Sequence, residues 1–278
     1  VNAPVLLVLA TIACYLAAAA LLWRGRLAMP GAQDPAPALG SRTGLTLAVL
    51  AVAGHAIVLF FALFDGTTVT LNLSAVLTLL LFVATLFVLV ATGFAPVRNL
   101  LLLLSPLCAL VIALAALVPT EAAPLGDLSA PLVAHILFAI IAYGLLIMAT
   151  GQSLLLAYQE RALRARRGVG MMSVLPPLQT MERLLFAMLW LGIAVLSLAI
   201  ATGFAYLDNL FAQRVVHHTV LACLSWLVYA VLLTGRHLAG WRGATAVRFT
   251  LVAFLLLVLA YLGSKFVIEV LLAPGATP

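Results

Sequence analysis

The chain has 278 residues, of which 66% are hydrophobic and only 8% charged. That balance marks a polytopic membrane protein and leaves no stretch long enough for a separate soluble domain. The formal charge of +6 does not point to nucleic acid, because the basic residues sit in short loops beside apolar runs, where they encode topology.

Lipid admits only helices or closed barrels as spanning structures, and continuous apolar runs are not the alternating segments of a barrel. The expected fold class is therefore all-α, a single integral membrane domain built as a bundle of eight transmembrane helices. In chain order the predicted spans are roughly 5–23, 45–64, 73–92, 98–118, 131–158, 182–205, 217–235 and 247–272. The first run has no basic stretch ahead of it and carries its charges behind, which reads as a retained span rather than a cleaved leader. Segment 24–44, with Pro30, Gly31, Pro35 and Pro37, reads as a flexible cytoplasmic linker. Pro106 should kink the fourth span, and the fifth is long enough to tilt or to project from the bilayer. Cys14, Cys108 and Cys223 lie in different spans without paired spacing and read as small packing residues.

The basic residues choose the sides. Arg24, Arg26, Arg42, Arg98, Arg161, Arg164, Arg166, Arg167, Arg183, Arg236, Arg242 and Arg248 all fall on one set of alternate loops, leaving only Arg214 and Lys265 for the other. The positive-inside rule puts the first set in the cytoplasm and both termini outside.

Histidines are the remaining chemistry. Four of the five, His55, His135, His217 and His218, lie inside or at the mouth of apolar runs, where a histidine is costly and marks a site, a polar partner or a hydrated cavity. His55 is the eleventh residue of its span, about 15 Å deep and near the midplane. His135 sits about one turn below the outer interface, and His217 and His218 open the seventh span on the same side. His237 reads as a solvated residue of a cytoplasmic loop. Each of the four also has a structural reading: an interfacial ring, a helix-start residue, or a hydrogen bond to a neighbouring helix.

Arg214 and Lys265 join the histidines as the two outside cations. Lys265 can pair with Glu269 one turn on, or both cations can meet an anionic ligand. Imidazoles, cations and apolar walls suit haem, which takes axial nitrogens on iron, cations on its propionates and an apolar slot for its ring. A bare metal ion is less well served, since no carboxylate or thiolate stands at ligand spacing. The Gly-x-Ser-x-Gly elbow of a hydrolase is absent.

Several stretches carry a family resemblance. They are His135-Ile-Leu-Phe-Ala-Ile-Ile-Ala-Tyr143, Leu175-Pro176-Pro177-Leu178-Gln179-Thr180-Met181-Glu182, Ala201-Thr202-Gly203, Leu224-Ser225-Trp226-Leu227-Val228-Tyr229-Ala230, Gly240-Trp241-Arg242-Gly243 and Ala260-Tyr261-Leu262-Gly263-Ser264-Lys265-Phe266. Together they resemble the CcsA-type cytochrome c assembly proteins, in particular the short branch of YpjD and HemX-type bacterial inner-membrane proteins. The resemblance covers nearly the whole chain. It implies a multi-pass protein of the bacterial inner membrane that handles b-type haem, with His135 as the outer histidine of the helix before the haem-cradling loop. That loop corresponds to Ala205–Val216 and contains no tryptophan, and the family's second outer histidine falls near Leu272. His217 or His218 is the geometric substitute.

The expectation is thus a haem-binding protein of cytochrome c assembly or haem trafficking, more a carrier than an enzyme on its own. His135 is the first candidate ligand and haem iron's expected metal contact. His217 or His218 stands opposite, His55 is a mid-membrane relay, and Arg214 and Lys265 meet the propionates. Its partners would be haem, the bilayer and another membrane or outer-face assembly protein, with no nucleic acid. The alternative is a non-haem permease or accessory subunit that keeps the scaffold without the cofactor, in which His55 serves packing or a proton or substrate path.

Overall fold

A computed structural model describes residues 4–27, 39–65, 68–69, 72–117, 129–165, 175–206 and 216–263. The chain folds into helices α1 (Val5–Leu27), α2 (Leu39–Leu63), α3 (Leu73–Ala91), α4 (Leu100–Leu117), α5 (Ala130–Arg164), α6 (Leu178–Tyr206), α7 (Val216–Leu238) and α8 (Gly243–Val258). All eight are long and apolar enough to cross a membrane. A π segment, Leu259–Gly263, continues α8, and a two-stranded antiparallel ribbon pairs β1 (Phe64–Asp65) with β2 (Thr68–Val69) after α2.

Helix ends run past the apolar runs that announce them. α1 reaches Leu27 and α2 begins at Leu39, so the ends of the expected 24–44 linker are helical; residues 28–38 lie outside the described residues. α6 begins at Leu178 because Pro176 and Pro177 cannot extend a helix backwards, and Pro177 instead offers its carbonyl to the amides of Thr180 and Met181. α8 starts at Gly243, directly after a turn in which Gly240 takes φ 63°, a conformation glycine reaches without penalty.

The chain divides into two compact units. The first comprises residues 1–124 and 158–181 and holds α1–α4. Here α1 packs against α2 and α4, and α3 against α2 and α4. A Cβ on Gly54 would meet Thr11 Oγ1 at 2.5 Å, so glycine is what lets α2 approach α1, the small-residue packing expected where lipid supplies no hydrophobic drive between helices.

The second unit comprises residues 125–157 and 182–278. Its four helices are joined in a ring by side-chain hydrogen bonds. His135 on α5 reaches Ala199 O on α6, and Trp226 Nε1 on α7 donates to Ser197 Oγ on α6. Ser225 Oγ on α7 donates to Ala253 O on α8, His218 reaches Ala260 O, and Tyr143 Oη on α5 donates to Leu257 O at 2.6 Å. Such bonds average about 0.6 kcal/mol each in membranes. They orient rings more than they hold the bundle, whose cohesion comes from buried packing such as Leu146 against Gly192.

Candidate functional site

His135 lies in the second turn of α5. Its Nδ1 is 2.7 Å from the carbonyl of Ala199. A carbonyl only accepts, so Nδ1 carries the proton and Nε2 is left with its lone pair. Two residues of α6 shape this contact. Thr202 Oγ1 donates to Leu198 O and Ala199 O, and a Cβ at Gly203 would come within 3.0 Å of Nδ1 and 3.1 Å of Cε1. Only a glycine leaves the ring its place against the α6 backbone without displacement. The Ala201-Thr202-Gly203 triplet, visible in the sequence only as a recurrent string, thereby acquires a physical role.

His218, in the first turn of α7, repeats the arrangement. Its Nδ1 is 3.1 Å from Ala260 O, and the ring stands edge-to-face with Tyr261 at 6.1 Å. Again the carbonyl fixes Nδ1–H and leaves Nε2 as the acceptor. The acceptor carbonyl belongs to the π segment, a geometry that recurs at functional sites because it re-aims backbone groups. Among the described residues no hydrogen bond is made by Nε2 of either ring. Two imidazoles with their distal nitrogens tied to backbone carbonyls and their Nε2 lone pairs available form a donor set that fits an iron requiring two axial nitrogens. Metal-ligating histidines ordinarily hold their second nitrogen in this way.

His55 has a different setting. It belongs to the first unit, is fully buried, and its Nδ1 is 3.0 Å from Tyr15 Oη. Elsewhere in this unit, Cys108 Sγ is 3.2 Å from Thr85 Oγ1 and 3.9 Å from Leu81 O. Polar pairs thus join α1 to α2 and α3 to α4. Thr85 gives its hydroxyl proton to Leu81 O, so the Cys108 S–H donates to Thr85 Oγ1 or to Leu81 O, while Tyr15 O–H donates to the imidazole. The His55 proton then sits on Nε2, near the Thr78 carbonyl and edge-to-face with Phe82 at 5.4 Å, without a bond of good geometry.

The other expected residues divide cleanly. Arg214, Lys265 and Glu269 lie outside the described residues, and so does the side chain of His217, although its backbone opens α7. His237 is exposed, as expected, but belongs to the last turn of α7 rather than to a loop, 5.6 Å from the Trp190 ring.

A second cluster, which the sequence reading missed, lies at the other end of the same unit. Glu182 at the start of α6 accepts from Arg242 Nε at 2.9 Å and from the Gly243 amide at 3.2 Å, and pairs with Arg242 Nη2 at 2.8 Å. Arg236 Nη1 is 3.6 Å away, its guanidinium over the Phe186 ring at 4.5 Å. The hydrogen bond and the charge of Glu182 hold the Arg242 guanidinium above its ordinary range. This carboxylate ties α6, α7 and α8 together. It stands 17 residues from Ala199 on α6, about 26 Å along the helix, nearly the thickness of a hydrocarbon core.

Comparison with known proteins decides the family. A profile described as cytochrome C assembly protein matches residues 43–272. The chain belongs to the cytochrome c assembly protein family. The match takes in both units, so the family pattern is not confined to the His135 end. The inner membrane protein YpjD of Escherichia coli strain K12 is 35% identical over 136 residues, 49% of this chain and 51% of that protein. A 28.8 kDa protein from the nifR3-like 5′ region of Azospirillum brasilense is 41% identical over 140 residues, 50% of this chain and 52% of its own length. The chain thus spans about half the length of the curated relatives it matches. No solved structure matches it.

Proposed function

We propose that the second unit binds b-type haem between α5 and α7, with His135 and His218 as axial ligands, in a cytochrome c assembly or haem-trafficking role in the bacterial inner membrane. The observation that carries this is the shared tautomer of the two rings, each held at Nδ1 by a backbone carbonyl and open at Nε2. Family membership supports the class of cofactor, and the name of the Escherichia coli relative supports the location. The charge distribution supports placing the histidine end outside and the Glu182 end in the cytoplasm, with Arg214 and Lys265 near the propionates.

Haem bound there would supply a redox-active iron whose behaviour depends on both axial nitrogens. The chain's part is to hold the two imidazoles in one tautomer, to surround the ring with apolar helix faces, and to keep bulk water from the second unit's core. Tyr143 serves this by pinning α5 to α8 through Leu257, immediately before the π segment that carries Ala260.

The test is absorbance of the full chain purified from cells with ample haem. A Soret band of a two-histidine haem is expected, and its absence overturns the proposal in favour of a scaffold without cofactor. His135→Ala and His218→Ala should each weaken or shift the band, whereas an unchanged spectrum in either removes that residue from the ligand set.

A further inference from the structure

We propose that the Glu182 end of the second unit binds one anionic phospholipid, its phosphate on Arg242 and Arg183 and its acyl chains along the exposed face of α6 inward of Trp190. By the charge rule the leaflet is the cytoplasmic one.

The charges at this end do not cancel. Arg183, Arg236 and Arg242 gather there, and Glu182 is the only acid among the described residues of the second unit. Glu182 is also fully engaged. Its Oε2 takes Arg242 Nε at 2.9 Å and Nη2 at 2.8 Å, while its Oε1 takes the Gly243 amide. Arg236 is turned inward, its Nη1 donating to Trp241 O and its guanidinium over the Phe186 ring. The carboxylate therefore fixes Arg242 along one edge without covering it. That side chain stays 58% exposed, and among the described residues its Nη1 makes no hydrogen bond. A planar guanidinium whose orientation is already set matches a phosphate in geometry and loses little freedom in binding it. Arg183, next to Glu182 on α6, is exposed and has no ion pair among the described residues.

The apolar half of the site begins where the cations end. Arg183 and Trp190 are seven residues apart on α6, so they share a face about 10 Å apart along the axis. Trp190 is 48% exposed, and its ring meets that of His237, exposed in the last turn of α7, at 5.6 Å. A tryptophan placed in this way belongs at the headgroup boundary, with an apolar ring and a hydrated N–H. Ala194 continues the same face inward, between the exposed Leu191 and Leu198. The order along α6 is thus cation, aromatic, aliphatic, and a phospholipid runs phosphate, glycerol, acyl chain. The headgroup layer is about 5–8 Å deep on each side of the bilayer. A Trp190 ring at its inner edge leaves the Arg183 head within a side chain's reach of the phosphate. A zwitterionic lipid carries its own ammonium beside the phosphate and answers the surplus charge less well. A soluble anion would leave the Trp190 face unused.

The test is native mass spectrometry of the full chain in neutral detergent, with equal amounts of phosphatidylglycerol and phosphatidylcholine carrying the same acyl chains. Preferential retention of one phosphatidylglycerol is expected. A basic residue beside a membrane surface adds an attraction worth about fivefold in affinity, so Arg183→Gln and Arg242→Gln should each lower phosphatidylglycerol affinity by about that factor. Arg183 has no bond in the fold to lose, so its variant reads the site even where Arg242→Gln disturbs the Glu182 cluster. Arg161→Gln, exposed on α5 in the first unit, should leave the affinity unchanged, and inorganic phosphate should not displace the lipid. Equal retention of the two lipids, undiminished affinity in Arg183→Gln, or an equal loss in Arg161→Gln overturns the proposal in favour of diffuse attraction. Displacement by inorganic phosphate overturns it in favour of a soluble-anion site. No readout involves haem, so this inference stands or falls apart from the proposed cofactor.

Discussion

The first and second units hold their membrane histidines in opposite protonation patterns. In the second unit, His135 and His218 each face a carbonyl, an obligate acceptor, and so present a lone pair at Nε2. In the first, His55 faces the Tyr15 hydroxyl, which donates to Nδ1 and leaves the imidazole hydrogen at Nε2. One residue type thus presents a lone pair at Nε2 in one place and a hydrogen there, with Nδ1 taken by a tyrosine, in the other. What decides is the partner atom, and in both cases that partner comes from a different helix.

The largest expected effect comes from breaking the second pattern at its source. The double variant His135→Ala, His218→Ala should abolish the Soret band, and retention of a normal band would remove the contrast altogether. Next, Gly203→Val pushes a branched side chain into the space of the His135 ring. Displacing a group that orients a ligand ordinarily lowers metal affinity about 10–100-fold, so haem titration of the variant should show a loss in that range, with His218 still supporting a weaker spectrum. An affinity equal to the parent's would mean that the ring does not depend on α6.

A smaller effect sharpens the other side. Tyr15→Phe leaves the His55 Nδ1 acceptor buried and unbonded, which costs about 1–3 kcal/mol. Unfolding titrations in denaturing detergent should register that loss without any change in the haem spectrum. A spectral change would tie the two units' histidines into one site. The smallest effect is expected at His237, exposed on α7: His237→Ala should leave both stability and spectrum unaltered.

The eight spans were readable because a bilayer demands long apolar runs, and those runs are uninterrupted in this sequence. His135 was readable as a residue needing a polar partner, because an imidazole inside a span is costly, and Ala199 O is that partner. The bond of His218 to Ala260 O was not readable, because a backbone atom has no sequence signature. Glu182 looked like a helix-start residue in a Pro-Pro-Leu-Gln-Thr-Met-Glu string. Its three-way contact with Arg242, Gly243 and Arg236 depends on a turn through Gly240 that periodicity does not encode. His55 was visible as an expensive residue, but its partner Tyr15 comes from another helix 40 residues away, and nothing in the spacing announces that they meet.

The Glu182 cluster makes the second unit a lever. Three helices share one fulcrum at a single carboxylate, and the imidazoles sit about 26 Å along the arm. A tilt of about 5° at the fulcrum carries the far end by about 2 Å, enough to part a hydrogen bond whose useful range is only about half an ångström. The geometry of the rings at one end of the unit is therefore sensitive to packing at the other, where Arg242 is exposed.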